Sequence, residues 1–226
     1  MGINNGIVIL DVDDTLIKTQ SQQLFIKYLL KKGLLSYLKY FKIMIWFIFY
    51  KLGFVSDPQK IAEYSFELFK DKNVSDIEKI SKDFFDNNLS KYFYEEALNL
   101  LKEHKEKGRR IILLSNAIEI IIKEVANHLT INDYICTKLE TKDGFFTGKI
   151  SGNVTYGKNK VKKMLDFLQE KGISLEDQES WGYGDHFSDI FVLELVKYPF
   201  IVNPSTKLKK EAKKRGWQIL EFKKIK

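Results

Sequence analysis

The ten residues IVILDVDDTL, positions 7–16, constrain this chain more than any other stretch, because four apolar residues run straight into Asp11, Asp13 and Asp14. An unbroken apolar run with no alternation reads as a strand covered on both faces, as in the middle of a parallel sheet. Carboxylates at the end of such a strand must be protonated, paired or bound to a cation. The spacing D-x-D supplies two oxygens for a hard cation such as Mg²⁺, with the Thr15 hydroxyl on the same turn. The same residues also suit an Asp-rich helix cap or turn. DVDDT alone fits both readings.

The rest of the chain supplies the context. Its 226 residues, 44% hydrophobic and 30% charged, fit a folded domain, either one large unit or a core with a smaller insertion. A formal net charge of +7 favours anionic partners, whether a phosphorylated metabolite, an acidic membrane surface or nucleic acid. The densest basic run, Lys207 to Arg215, reads as one solvated helix face. Cys136, the single cysteine, excludes an intramolecular disulfide and reads as a small core residue. With no secretory signal ahead of the first strand, a cytoplasmic protein is expected.

Strand and helix signals alternate. After the strand at 7–11 comes a nearly continuous helical stretch from 21 to about 94, then a helix at 95–107 stopped by Gly108. A strand IILLS, a helix from about 117 to 129 and a hairpin turning at Asp143-Gly144 follow. A helix at 158–171, a strand in SWGYGD and a short strand within 196–205 complete the pattern. Strands separated by helices predict an α/β fold, a doubly wound parallel sheet with right-handed crossovers. Its sites lie beyond the carboxyl ends of the strands.

Three more strand ends carry chemistry-bearing residues. Ser115, with Asn116 starting a helix, offers a hydroxyl and backbone N–H groups to an anion. Lys160, with Lys158 as the alternative, begins the helix after the hairpin. Asp185 and Asp189, four residues apart on one helical face, form a second carboxylate pair, and His186 between them is a candidate substrate contact. His104 and His128 lie on helical stretches and read as packing residues.

D-x-D-x-T, Ser, Lys and G-D-x-x-x-D, in that order and each at a strand end, resemble the haloacid dehalogenase superfamily of phosphatases over most of the chain outside residues 19–94. The resemblance implies a Rossmann-like core at residues 1–18 and 95–226 with an inserted all-helical cap at 19–94. It implies that Asp11 attacks phosphorus, that Asp13 serves as acid and then base, and that Thr15, Ser115, Asn116 and Lys160 hold the phosphoryl group. Mg²⁺ would be held by Asp11, Asp185, Asp189 and the Asp13 carbonyl. A helical cap after the first motif is similar to the phosphoserine phosphatase branch. There, Gln20 stands where those enzymes carry a glutamate for the serine ammonium, SNA replaces a Ser-Gly-Gly, and Ser188 replaces an asparagine. These departures point away from L-phosphoserine and leave another small phosphorylated metabolite as the expected substrate.

Residues 33–54 are the most apolar part of the cap, yet only Ile43 to Tyr50 are free of charge, too few for a span of about twenty residues. Either Lys39, Lys42 and Lys51 snorkel while Trp46, Phe47 and Tyr50 sit at headgroup depth, a peripheral membrane contact, or the helix packs on the core or a second subunit. FIKYLLKKG followed by an apolar stretch also resembles phosphatidylglycerophosphate phosphatases of the same superfamily, which makes a membrane lipid phosphate the alternative substrate class. A non-catalytic anion- or membrane-binding protein on the same fold is a further alternative. Nucleic acid is not an expected partner, since no basic strand is interleaved with aromatic residues. The oligomeric state is left open.

Overall fold

Burial of a strand on both faces requires a layer of helices on each side, and the computed structural model has that arrangement. It describes residues 5–51, 58–176 and 178–223. The side chains of Phe47 and Tyr50, and residues 52–54, lie outside the described residues. The strands are β1 (Ile7–Leu10), β2 (Arg110–Ile118), β3 (Asp133–Lys142), β4 (Phe145–Ser151), β5 (Ser180–Gly184), β6 (Tyr198–Val202) and β7 (Gln218–Leu220). Among the described residues they form one seven-stranded sheet in the order β4-β3-β2-β1-β5-β6-β7, parallel except for the β3–β4 hairpin. The helices are α1 (Ser21–Lys31), α2 (Tyr37–Lys51), α3 (Pro58–Phe66), α4 (Val74–Phe84), α5 (Glu95–Glu106), α6 (Glu119–His128), α7 (Lys158–Glu170), α8 (Ile190–Leu193) and α9 (Thr206–Lys214).

Period-2 geometry splits β1 between two cores. Val8 and Leu10 pack with Leu113, Tyr183 and Val202 beneath α5 and α6, while Ile7 and Ile9 pack with Ile112, Leu114 and Ile201 against α7, α8 and α9. The doubly wound sheet therefore stands as expected. The expected boundaries shift in places. The stretch from 21 to 94 is broken rather than continuous, since Asn73 leaves the helical path to bridge Phe145. The helix expected from 117 starts at Glu119, because β2 runs on through an irregular register between Leu114 and Ile118. β7 went unforeseen, being only three residues long. The Asp143-Gly144 turn has φ of 50° and 81°, the left-handed pair that a two-residue hairpin demands.

The helical insertion leaves and rejoins the sheet through two adjacent linkers. Lys18 N–H donates to the Tyr92 carbonyl at 2.8 Å and Tyr94 N–H to the Leu16 carbonyl at 2.9 Å. Beyond them the insertion is not detached. Asp71 N–H donates to the Phe146 carbonyl, Phe146 N–H to that of Lys72, and Val74 N–H to that of Gly144. The buried Ser81 hydroxyl donates to the Ile120 carbonyl at 2.7 Å, joining α4 to α6. Phe25, Tyr28, Phe69 and Phe84 interlock at ring separations of 4.9 to 6.3 Å within the same apolar cluster that fills one face of the sheet. Cap and core share a hydrophobic interior.

Phe84 is fully buried where α4 meets α1 and the sheet's cluster. Phe84→Ala is expected to cost about 3–5 kcal/mol and to lower the thermal midpoint of the whole protein by on the order of 10 °C, read by circular dichroism. A separate early transition of the cap, with the main one unmoved, would contradict a shared interior.

Candidate active site

Register brings the candidate residues to one edge. Leu10 pairs with Leu113 on one side and with Tyr183 on the other, so Asp11 and Asp185, just past the ends of β1 and β5, come to the same edge as Ser115 within β2. Asp11 N–H still donates to the Tyr183 carbonyl at 3.0 Å, which fixes its backbone before the chain turns away. The turn is tight. Asp14 adopts φ 56°, and Leu16 and Ile17 both donate to the Val12 carbonyl.

The centre of the site is a buried ammonium. Lys160 Nζ lies 2.6 Å from Asp11 Oδ1 and 2.6 Å from Asp189 Oδ1, with all three side chains almost completely enclosed. Lys160 can reach both because it sits in the first turn of α7, pointing at the sheet edge, whereas Lys158 is exposed. The choice between the two lysines thus falls on Lys160 as the one in contact. Burial by itself would lower its pKa, but Asp11 and Asp189 raise it overall, so it stays charged. Burial is also the first cause at the acids. It lifts Asp11 to about 7 against the pull of Lys160, and it lifts Asp185 to about 9, reinforced by repulsion from Asp11, Asp189 and Asp14.

Lys160 leaves that negative charge only partly balanced. One oxygen from each of Asp11, Asp185 and Asp189 lies within 4.8 Å of the others. Ligands on opposite sides of a Mg²⁺ are about 4.2 Å apart, so the group is within a small closure of holding one. The chemistry of the donor set, all hard carboxylate oxygens, fits that ion and not a soft one. Asp189 is the most constrained of the three, since its Oδ2 accepts from His186 N–H at 3.0 Å while Oδ1 takes Lys160. Asp185 accepts a longer contact of 3.5 Å from the Thr15 hydroxyl.

Several expectations need correction. Asp185 and Asp189 do not share a helical face. A tight turn between β5 and α8 brings them together, closed by His186, whose Nδ1 accepts from Ser188 N–H at 3.2 Å. Thr15, expected at the phosphate, is fully buried, and its hydroxyl faces Asp185 Oδ1 at 3.5 Å. Asn116 does not open a helix. It lies exposed on β2, with its carbonyl accepting from Thr137 Oγ1 at 2.8 Å, because the strand continues to Ile118. What that part of β2 offers is therefore the buried Ser115 hydroxyl, which accepts from Ala117 N–H at 3.1 Å, and not a helix N-terminus. Gln20, exposed at the N-cap of α1, spends its amide on Asp14 Oδ2 at 2.5 Å.

Two contributors escaped the sequence reading. Ser21 N–H donates to Asp13 Oδ1 at 3.1 Å, which sets Asp13 against the positive end of α1. Burial nevertheless raises Asp13 to about 6, with Ser21 opposing. Gly184 is the second. A Cβ there would lie 2.7 Å from Asp189 Cβ and 2.8 Å from its carboxyl carbon, so only glycine lets Asp189 reach Lys160. The G of G-D-x-x-x-D is a visible signal, and its purpose is steric, set by how closely Asp189 folds back on it. A cleft of about 430 Å³ opens beside Asp185, lined by Asp14, Tyr94, His186, Phe187 and Asn203. A larger groove of about 630 Å³ lies at the opposite edge, by Tyr198 and Trp217, away from the acidic group of Asp11, Asp185 and Asp189.

The other titratable residues have structural places. His104 Nδ1 faces Arg109 and its Nε2 the Tyr183 hydroxyl, each at 2.9 Å. Burial, then Arg109, lower its pKa to about 4. His128 stacks on Phe93, and burial pushes the Cys136 thiol up to about 12.

Comparison with known proteins agrees with this geometry. Residues 8–194 match the haloacid dehalogenase-like hydrolase family. The chain is 28% identical over 227 residues to a histidinol-phosphatase of Neisseria meningitidis, covering 96% of this chain and 99% of that one. A Bordetella pertussis protein of unknown function superposes with a TM-score of 0.89 at 23% identity, covering 96% and 99% of the two chains. A phosphoserine phosphatase carrying a phospho-aspartyl intermediate analogue superposes at 0.66 with 18% identity, covering 97% and 94%. The last two likenesses are of fold.

Raised acids bind protons that the unfolded chain has released, so the stability they contribute is present at low pH and lost as pH climbs through about 7 and then 9. Between pH 7.5 and 9, above the range in which His104 titrates in either the folded or the unfolded chain, the metal-free midpoint should fall. Millimolar Mg²⁺ should raise it by several degrees at pH 9 and by less at pH 6.5, as scanning calorimetry would show; no effect at pH 9 would contradict a cation site. Gly184→Ala should lower kcat/KM at least about tenfold by displacing Asp189, and unchanged kinetics would deny Asp189 a positioning role.

Proposed function

The chain belongs to the haloacid dehalogenase-like hydrolases, and we propose that within that family it is a Mg²⁺-dependent phosphatase that hydrolyses a small phosphomonoester through an aspartyl phosphate on Asp11. The observation that carries this reading is the triad of Asp11, Lys160 and Asp189 closed by two contacts of 2.6 Å at the carboxyl edge of the sheet, with Asp185 alongside. A carboxylate so placed is an unusually costly structural element and a useful nucleophile.

Each residue has a defined task in that chemistry. A carboxylate oxygen of Asp11 attacks phosphorus in line, and the ester P–O bond breaks. Asp13 gives its proton to the departing alkoxide, then takes one from the water that attacks the aspartyl phosphate. Inorganic phosphate leaves and the Asp11 carboxylate is restored. The elevation of Asp13 to about 6 suits an acid that must also act as a base near neutral pH. Lys160 and Ser115 cradle the phosphoryl oxygens, and the ammonium keeps Asp11 from repelling an anionic substrate. Asp11, Asp185 and the Asp13 carbonyl would hold Mg²⁺, which when bound supplies charge neutralisation at the phosphoryl oxygens. Asp189, with both oxygens engaged, positions Lys160 and the Asp185 turn.

Gln20 bears on the substrate. Its amide already donates to Asp14, and it brings no carboxylate for an ammonium group. The relative from Neisseria is a histidinol-phosphatase by name. Both L-histidinol phosphate and L-phosphoserine carry an ammonium group, so Gln20 does not separate them; on the name of that relative we place L-histidinol phosphate first in a panel of phosphorylated metabolites.

Hydrolysis of p-nitrophenyl phosphate with Mg²⁺ tests the reaction. Asp11→Asn should abolish turnover, and Asp13→Asn should lower kcat by roughly 10²–10⁴-fold with the fold intact. Lys160→Ala should cost activity heavily, while Lys158→Ala should leave it within about twofold. Turnover that survives Asp11→Asn would overturn the assignment, and a higher kcat/KM for phosphoserine than for histidinol phosphate would overturn the substrate order.

A further inference from the structure

From the exposed face of α2 we infer that the cap seats on an anionic lipid bilayer surface, with the α2 stripe in the headgroup region and the surrounding lysines on the lipid phosphates.

At about 100° per residue, Tyr37, Leu38, Phe41, Ile45 and Ile48 share one side of α2, and Leu34 precedes the helix. Leu34, Tyr37, Leu38, Phe41 and Ile48 are between 51 and 80% exposed. The opposite side is spent on the protein. Ile43 is fully buried and the Trp46 ring packs against Tyr64 at 5.4 Å. Lys39 and Lys42 interrupt its circumference, but one side of the helix serves the fold and another faces outward, where a strip of large apolar side chains marks an interaction surface.

Charge identifies the occupant. From Thr15 to Ser56 the sequence holds seven lysines and no aspartate or glutamate. Lys42 is exposed on α2 itself, Lys27 and Lys31 are exposed on the preceding α1, and Lys32 is held by Asp83 at 3.0 Å. A second copy docked face to face would bring lysines against lysines with no acid within the segment to pair them. An anionic bilayer matches both parts, since aromatic and aliphatic groups enter the headgroup boundary while lysine stems lie along it with their ammonium groups at the phosphates. Among the described residues no helix is long and apolar enough to cross a membrane, so the contact is one of lying on the surface. This inference is independent of the chemistry at Asp11.

The full-length protein would be sedimented with phosphatidylcholine vesicles and with vesicles containing phosphatidylglycerol. Binding is expected to the second and not the first, weakening as salt is raised. Tyr37→Ser with Phe41→Ser, and separately Lys31→Glu with Lys42→Glu, should each lower the partition coefficient by at least about tenfold, with p-nitrophenyl phosphate turnover and thermal midpoint unchanged. Failure to bind anionic vesicles, equal binding by both double variants, or a dimer in light scattering that Phe41→Ser dissolves would each overturn the proposal.

Discussion

A lysine ammonium buried between two aspartates is the interaction on which the rest of the molecule depends. Lys160 neutralises part of a carboxylate cluster that the sheet forces together, because β1 and β5 are neighbours and each ends in aspartate. Buried ion pairs add little net stability once desolvation is counted, and breaking one side of such a pair is expensive. The fold tolerates this centre because the strands on either side are locked by two continuous apolar cores. What results is a carboxylate fixed in place, its charge partly offset by Lys160, which the proposed mechanism uses at Asp11.

The same logic explains why so much of the neighbourhood is devoted to orientation. Thr15 faces Asp185, Ser21 holds Asp13, His186 closes the turn that presents Asp189, and Gly184 leaves the space that Asp189 fills. None of these needs to touch the reacting atoms. Each restricts a charged group that would otherwise swing toward water or toward its neighbour. The cap takes part as well, since Ser21 opens α1 and Gln20 reaches Asp14, so the first turn of the insertion is built into the site.

Features that depend on residue type and order were legible in the sequence. An unbroken IVIL predicted a central strand, and the lysine after the hairpin was found at the centre of the cluster; of the D-x-D pair, Asp11 joins the acidic group with Asp185 and Asp189, whereas the Asp13 carboxylate turns to Ser21 N–H. The doubly wound sheet followed from alternation. What depends on local backbone path was not legible. Asn116 looked like the start of a helix because SNA suits a cap, yet pairing with β3 carries the strand two residues further. Asp185 and Asp189 have helical spacing, but a turn closed by a histidine side chain brings them together. Thr15 has the right chemistry for a phosphate contact and is turned inward by the bend at Asp14. The attachment of the cap to the β3–β4 hairpin, through residues 71–74 and 144–146, is made by backbone groups and left no trace in composition.

The central claim is that Asp11 carries the phosphoryl group in transit. Wild-type protein turning over L-histidinol phosphate with Mg²⁺ would be quenched in acid within milliseconds, digested, and its peptides weighed by mass spectrometry. The account predicts phosphate on the peptide bearing Asp11, localised to that residue, and none when Asp11→Asn is treated alike. Phosphate on another residue, or turnover with no phosphorylated peptide while a hydrolysis-slowed Asp13→Asn variant also accumulates none, would contradict it.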